Sequence, residues 1–133
     1  MRNYLTAVIL GLAVATFGAS ATAAPPLALQ TTSASGVTVK VTPLSLSDKS
    51  WEFEIVFDTH SQELKDDLMK TAVLVAEGGA TTAPVEWKGD PAGGHHRKGV
   101  LRFNTLTPAP AAVKLQIQRS GEPSPRVFRW SLR

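Results

Sequence analysis

Apolar and polar residues alternate along most of the chain after Gly36, and this pattern restricts the chain to β-strands with one buried face. The clearest case is 51–58, where aromatic and β-branched residues alternate with mostly acidic ones. Such side chains favour strands because they pack well on a pleated surface. The same alternation, or a short apolar run, recurs along the chain, and we predict seven strands: 37–42, 51–58, 71–76, 85–88, 99–105, 113–118 and 127–132.

Proline and glycine residues separate these segments and mark turns. Seven short strands with frequent turns predict an all-β fold, specifically a seven-stranded, immunoglobulin-like antiparallel sandwich. The similarity to immunoglobulins is one of architecture only. Antibody domains have paired cysteines and a tyrosine corner, whereas this chain has no Cys and its single tyrosine, Tyr4, lies near the N-terminus.

The segment 60–70 interrupts the alternation. Its apolar residues Leu64 and Leu68 are four apart, which is a helical spacing. Thr59 followed by Gln62 resembles a capping box. We therefore predict one short helical turn after the second strand, with both leucines closing one end of the core. The remaining acidic side chains of this turn are expected to face water: Glu63, Asp66 and Asp67.

The N-terminal residues have the pattern of a secretory signal peptide. Arg2 precedes an apolar run over 5–18, and the small residues of 19–23 offer the A-x-A spacing that signal peptidase needs. The run is too short for a comfortable bilayer span. We expect export to the periplasm or outside the cell, with no stable membrane anchor after cleavage. The predicted segments are a signal peptide (1–23), a flexible leader rich in Pro, Ser, Thr and Ala (24–36) and one domain (37–133).

The absence of Cys removes several classes of function: disulfide-stapled domains, c-type haem attachment, blue-copper sites and thiol nucleophiles. Met69 is the single methionine beyond the predicted signal peptide, which argues against a Cu(I) carrier built on thioethers. The chain also has no G-x-S-x-G elbow, no H-E-x-x-H helix and no phosphate-binding glycine loop. These observations favour a protein that is not an enzyme, with a small secreted hydrolase as the third alternative.

The charge of the chain is unevenly distributed. The formal net charge of +3 is too small to argue for nucleic acid, but 51–67 is acidic and 97–133 is basic. Acidic and basic strands could pair across one sheet face, which needs no further partner. Alternatively, the basic residues could form a face for an anionic partner. We favour the first interpretation.

All three histidines lie outside the predicted strand interiors. The loops after the second, fourth and sixth predicted strands should lie at the same end of an antiparallel sandwich. They contain His60, then His95 and His96, then Arg119. Asp58 and His60 are two residues apart and point to the same side if the strand continues that far.

Imidazole and carboxylate groups together suit Zn²⁺ or Cu²⁺. One hypothesis is therefore a transition-metal site formed by Asp58, His60, His95 and His96. The alternative is that the histidines cap turns and hydrogen-bond backbone groups, with His60 paired to Asp58. We favour this alternative, because adjacent histidines often cannot both reach one ion.

Three segments of the chain also resemble a known family. They are Asp58-Thr59-His60-Ser61, Trp87-Lys88-Gly89-Asp90 and the run GGHHRKGVLRF over 93–103. In these segments the chain is similar to small exported bacterial β-sandwich domains of uncharacterised function, which have D-T-H-S and G-G-H-H-R-x-G-x-L-x-F segments. The likeness extends from about Val37 onward. It implies the fold and points to the same histidines, but it implies no activity.

Together these patterns predict an exported, non-catalytic binding or scaffolding domain. Its partner would be a protein or a small ligand of the cell envelope, and no nucleic acid is expected. The second candidate is a His-based Zn²⁺- or Cu²⁺-binding protein, and no other cofactor is expected.

Overall fold

The computed structural model describes residues 27–47 and 49–132, so the predicted signal peptide lies outside the described residues. Nine strands and one short helix form within the described part. They are β1 (Gln30–Ala34), β2 (Val37–Leu46), β3 (Trp51–Thr59), α1 (Leu68–Thr71), β4 (Ala72–Ala76), β5 (Thr81–Thr82), β6 (Glu86–Gly89), β7 (His96–Phe103), β8 (Ala112–Ile117) and β9 (Arg126–Ser131).

The strands form two antiparallel sheets. The first sheet has the order β1-β2-β3-β7-β6, and the second has the order β5-β4-β8-β9. The fold is therefore all-β, as predicted, and each of the seven predicted segments contains a strand. Strands β1 and β5 were not predicted. No helix among the described residues is long and apolar enough to cross a membrane.

Strand β1 lies in the segment that we expected to be a flexible leader. It pairs with β2 from Gln30↔Val41 to Ala34↔Val37. The Gln30 side chain also bridges to the edge of β9, where it accepts a hydrogen bond from the Arg129 backbone N–H at 2.9 Å and donates one to the Arg129 carbonyl. Backbone and amide hydrogen bonds hold this edge strand, so it shows no apolar alternation and the sequence pattern missed it.

The predicted helical turn after β3 is much shorter than expected. Helix α1 contains four residues and is capped by Asp67, whose carboxylate accepts a hydrogen bond from the Met69 backbone N–H at 3.0 Å. Thr59 ends β3 instead of capping a helix, and its hydroxyl donates to the Gly36 carbonyl. The backbone N–H and carbonyl of Leu64 bond to another loop, described below, and are therefore not available for the i→i−4 bonds of a helix.

One hydrophobic core takes side chains from both sheets. Alternation places Trp51 and Trp130 inward, and they are only 2% and 5% exposed, which confirms the inward register. Phe53 lies between Phe103, at 5.8 Å in an edge-to-face arrangement, and Trp130, at 5.4 Å. Leu64 and Leu68 are fully buried, as predicted, although only Leu68 is helical. The other core residues are Val37, Val39, Val41, Ile55, Phe57, Ala72, Leu74, Leu101, Val113, Leu115, Ile117 and Phe128.

Two glycines allow β6 to approach β7 closely. Gly89 and Gly99 are directly opposite each other in the sheet. A Cβ built on Gly99 would lie 2.7 Å from the Gly89 Cα and 2.6 Å from Cζ2 of the Trp87 ring. Neither a backbone atom nor a packed indole yields easily, so only glycine fits at position 99.

We therefore expect Gly99→Ala to lower the free energy of unfolding by about 1–3 kcal/mol, because the added methyl group forces β6 and Trp87 away from β7. Urea denaturation followed by tryptophan fluorescence measures this change. Lys88→Ala is the matched control on the same edge strand, since Lys88 is exposed. Equal stability of Gly99→Ala and the wild type would show that the two strands are not packed this closely.

Candidate functional site

Three loops meet at one end of the molecule, as the strand order of the sequence predicts. The loop after β3 binds the loop before β7 through three backbone hydrogen bonds: Thr59 N to His95 O at 2.9 Å, Leu64 N to Gly94 O at 2.9 Å and Gly93 N to Leu64 O at 2.7 Å. The loop after β8 joins them through a side chain, because Arg119 Nε donates to Asp66 Oδ2 at 2.7 Å. We call Asp58, His60, His95 and His96 at this end the histidine rim.

The best-defined contact of the histidine rim is a hydrogen bond between the side chains of Asp58 and His96. These residues lie opposite each other on β3 and β7. Nδ1 of His96 lies 2.5 Å from Oδ1 of Asp58, and the two side chains are 61% and 46% exposed, respectively. A carboxylate on Nδ1 fixes the ring orientation and leaves Nε2 as the nitrogen available to a partner.

The predicted set of four metal ligands is not brought together. Asp58 pairs with His96 and not with His60. His60 and His95 lie on adjacent loops and are exposed, and the backbone beside them is fixed by the Thr59 to His95 hydrogen bond. Over 27–47 and 49–132, no group of three or more His, Asp or Glu side chains is arranged to hold a metal ion. The structure thus supplies one oriented imidazole, that of His96, with His60 and His95 on the adjoining loops.

Beneath the histidine rim lies a group of buried charged residues that the sequence analysis did not predict. Asp66 was expected to face water, yet it is only 9% exposed. Burial of an ionised group is costly unless it is paired and hydrogen-bonded. Each of these groups is hydrogen-bonded, four of them to an oppositely charged side chain and Arg97 to backbone carbonyls. We call this group the buried arginine cluster: Asp66, Arg97, Arg119, Glu122 and Arg126.

Arg119 and Arg126 share one carboxylate within the buried arginine cluster. Arg119 donates to Asp66 through Nε and to Glu122 Oε2 through Nη1, at 2.7 and 3.0 Å. Arg126 binds both oxygens of Glu122, each at 2.7 Å, in the bidentate geometry that makes arginine–carboxylate pairs strong. Glu122 therefore holds together the loop after β8 and the start of β9.

Arg126 also links the two sheets. Its Nη1 donates to the Val37 carbonyl at 3.1 Å, and its Nη2 donates to the Ala34 carbonyl at 2.9 Å. A further bond from Nη1 reaches the Thr32 hydroxyl at 3.0 Å. These acceptors belong to β1 and β2 of the first sheet, whereas Arg126 begins β9 of the second sheet. One guanidinium thus fixes the spacing of the sheets at this end.

Arg97 supports the loop that contains the histidine pair. Its Nη1 donates to the Asp66 carbonyl at 2.5 Å and its Nε donates to the Asp90 carbonyl at 3.1 Å. The guanidinium carbon lies 5.4 Å from the centre of the Trp87 ring, within range for a cation–π contact. Trp87 Nε1 donates to the same Asp90 carbonyl at 3.0 Å. Trp87 is half-buried and packs against the core.

The sequence does contain a signal for this cluster: three arginines continue the inward-facing positions of three strands. The alternation of β8 continues inward to Arg119, two positions after buried Ile117, and that of β9 begins inward at Arg126, two positions before buried Phe128. Arg97 is likewise in register with the buried Leu101. Arg97 and Arg126 take the first inward position of β7 and β9, and Arg119 takes the inward position just beyond the end of β8. Three arginines at these positions predict a charged group closing the core, provided that these strand ends lie at the same end of the molecule.

The acidic early strands and basic late strands do pair, as the favoured interpretation of the charge pattern predicts. Glu52 lies opposite Arg102 in the β3–β7 register. Lys98 Nζ lies 3.8 Å from Glu54 Oε2 on the neighbouring strand, and Arg102 Nη2 lies 3.3 Å from Glu86 Oε2. These exposed pairs each contribute less than about 1 kcal/mol. They account for Lys98 and Arg102, the exposed cations of β7, without an external partner.

No protein-family model matches this chain, and no curated protein matches it. Among solved structures, it is similar to the crystal structure of a DUF4426 family protein from Pseudomonas aeruginosa PAO1. The TM-score is 0.52 at 12% sequence identity, and the match covers 77% of this chain and 96% of that chain. The likeness is one of fold. DUF4426 is an uncharacterised family, so the neighbour suggests no activity.

The hydrogen bond from Arg126, followed by the Arg126 charge and the contacts of Arg119, lowers the pKa of Glu122 below its ordinary value of 4.5, although burial opposes this shift. A carboxylate with a lowered folded-state pKa contributes stability that is fully present above the unfolded value. That contribution is lost as the pH falls through the folded value.

We expect Glu122→Gln to lower the free energy of unfolding by about 3 kcal/mol at neutral pH, since Arg126 loses its charged partner and Arg119 loses one of its two carboxylates. The deficit relative to the wild type should shrink as the pH is lowered below 4.5, because the wild type then loses the same charge. Denaturant titrations at a series of pH values measure both effects. Glu86→Gln is the control, because its ion pair is exposed. A deficit independent of pH would contradict the role of the Glu122 charge.

Proposed function

We propose that this protein is an exported, non-catalytic binding or scaffolding domain with an immunoglobulin-like β-sandwich fold. The strand orders support the fold: β2-β3-β7-β6 in one sheet and β4-β8-β9 in the other match the ABED and CFG sheets of immunoglobulin constant-type domains. In this comparison β5 adds a short strand beside β4, and β1 extends the first sheet beyond β2.

The proposal of export rests on the sequence of 1–23, with its basic start, apolar run and A-x-A spacing. The lack of Cys fits a domain that depends on packing for its stability, and the shared core of the two sheets supplies that packing. The periplasm or the space outside the cell is then the compartment in which a partner or ligand is met.

The observation that carries the proposed binding role is the support beneath the histidine rim. Its imidazoles are exposed, yet the loops that present them are cross-bonded through their backbones and rest on the buried arginine cluster. Side chains held on rigid backbone lose little entropy when a partner binds, which favours recognition. Exposed imidazoles on a fixed frame suit a partner that offers hydrogen bonds or carboxylates to them.

Metal binding is the second candidate, and the Asp58–His96 pair favours it. In metalloproteins, a ligating histidine commonly donates its other N–H to a carboxylate, which orients the ring toward the metal. Asp58 would then act as the orienting carboxylate and not as a ligand. His96 Nε2 would be one ligand, and His95 or His60 would supply others after a change of side-chain rotamer.

We expect a partner to contact the end of the molecule that bears the histidine rim. A photoreactive amino acid at exposed Ser61, beside His60, should give a crosslinked product of defined mass in intact cells, and His96→Ala should weaken it. The control position is Lys49, which is exposed in the β2–β3 connection at the opposite end. Equal products from both positions, or none from Ser61, would argue against a partner at this end.

Export is tested separately by mass spectrometry of the isolated protein. If the signal peptide is cleaved after Ala23, the first residue found should be Ala24.

Metal binding is tested by calorimetric titration of the mature chain with Zn²⁺ and Cu²⁺. We expect His96→Ala to abolish binding, and Asp58→Asn to weaken it by roughly 10–100-fold, which is the range for loss of an orienting partner. His95→Ala and His60→Ala identify the remaining ligands. The control is a variant in which His60, His95 and His96 are all replaced by alanine. Heats of binding no greater than those of this control would exclude metal binding at the histidine rim.

A further inference from the structure

The end of the molecule away from the histidine rim contains a second feature, on the second sheet. A depression of about 500 Å³ lies over β4, β8 and β9, beside the turn that contains Glu77, Gly78 and Gly79. Its volume is within the range of small-molecule sites. We call it the sheet depression.

Two cations lie side by side in the sheet depression. Lys114 and Arg129 are directly opposite each other on β8 and β9. Like charges at directly opposite positions destabilise a sheet, and neither side chain forms an ion pair with any residue of 27–47 or 49–132. Lys114 is half-buried, so part of its hydration is already lost. An anion between the two side chains would remove their repulsion.

The other cations described between 97 and 132 have partners, which makes this pair exceptional in the basic part of the chain. Lys98 and Arg102 of the first sheet lie beside glutamates. The three arginines of the buried arginine cluster are bonded to carboxylates or backbone carbonyls. The sequence analysis left open that some basic residues form a face for an anionic partner. That interpretation still applies to Lys114 and Arg129.

The surroundings of the two cations define the kind of anion. Val75, Ala76, Ala112 and Val113 line the sheet depression, so its remaining surface is largely apolar. Glu77 at the turn adds one negative charge against the two positive ones, which leaves a net charge of +1. A ligand with one negative charge and a short apolar body matches both properties.

We infer that the sheet depression binds the carboxylate of a short acyl chain, with Lys114 and Arg129 on the carboxylate and the acyl chain against Val75 and Ala112. The guanidinium of Arg129 can bind a carboxylate through two parallel hydrogen bonds, and the ammonium of Lys114 acts as a compact charge beside it. Burial of the acyl chain against the apolar residues adds affinity in proportion to the area removed from water. This inference does not depend on the histidine rim.

The test is a calorimetric titration of the mature chain with sodium octanoate. We expect saturable binding that weakens by at least about tenfold in Lys114→Gln and in Arg129→Gln, since each loses a charge-assisted bond. Lys98→Gln is the matched control on the first sheet and should bind octanoate as the wild type does. Thermal melting of each variant shows that it is folded, and octanoate should raise the melting temperature of the wild type and of Lys98→Gln.

Four further ligands separate the contributions of charge and chain. Acetate, which lacks the chain, and octanol, which lacks the charge, should each bind at least about tenfold more weakly than octanoate. Octyltrimethylammonium should not compete. The inference is overturned if the wild type does not bind octanoate, if both glutamine variants bind it unchanged, or if octanol binds equally well. Tighter binding of octyl phosphate than of octanoate would contradict a site for a single negative charge.

Discussion

The shared carboxylate of Glu122 is the interaction on which the architecture of one whole end depends. It accepts hydrogen bonds from Arg119 and from both Nε and Nη2 of Arg126. Arg126 in turn reaches carbonyls of the opposite sheet, at Ala34 and Val37. Removing Glu122 would leave the buried guanidinium of Arg126 without a charged partner, which is strongly destabilising even where an intact buried pair adds little stability. The cluster thus specifies how the sheets meet.

The histidine rim depends indirectly on the buried arginine cluster. Asp66 accepts from Arg119 through its carboxylate and from Arg97 through its backbone carbonyl. These bonds position the loop that follows β3, and that loop is cross-bonded to the loop before His96. The buried arginine cluster therefore fixes the loops that bear the exposed imidazoles. Strand register thus decides which charged residues are buried, and the buried residues position the loops whose exposed side chains a partner can reach.

The two candidate binding features lie at different ends and use different chemistry. The histidine rim offers one imidazole, that of His96, oriented by Asp58, and two others on loops that are joined by backbone hydrogen bonds. The sheet depression offers two cations, Lys114 and Arg129, beside apolar side chains. On β7 of the first sheet, by contrast, the exposed cations lie beside glutamates of neighbouring strands, as Arg102 does beside Glu86. Basic side chains on β7 thus form ion pairs within the first sheet, whereas those on β8 and β9 of the second sheet are the proposed ligand-binding groups.

The sequence alone determined the strands with one buried face, because alternation is a local property: Phe53 and Trp130 could be placed inward from their neighbours in the chain. It also indicated that the loops containing His60 and His95 share one end. Only the tertiary structure decided that β1 is a strand and that Asp66 is buried. Strand β1 is held by bonds to residues distant in the chain, such as Arg126, which lies 94 positions from Thr32. The environment of a charge depends on which distant segments fold over it, and no local pattern records that.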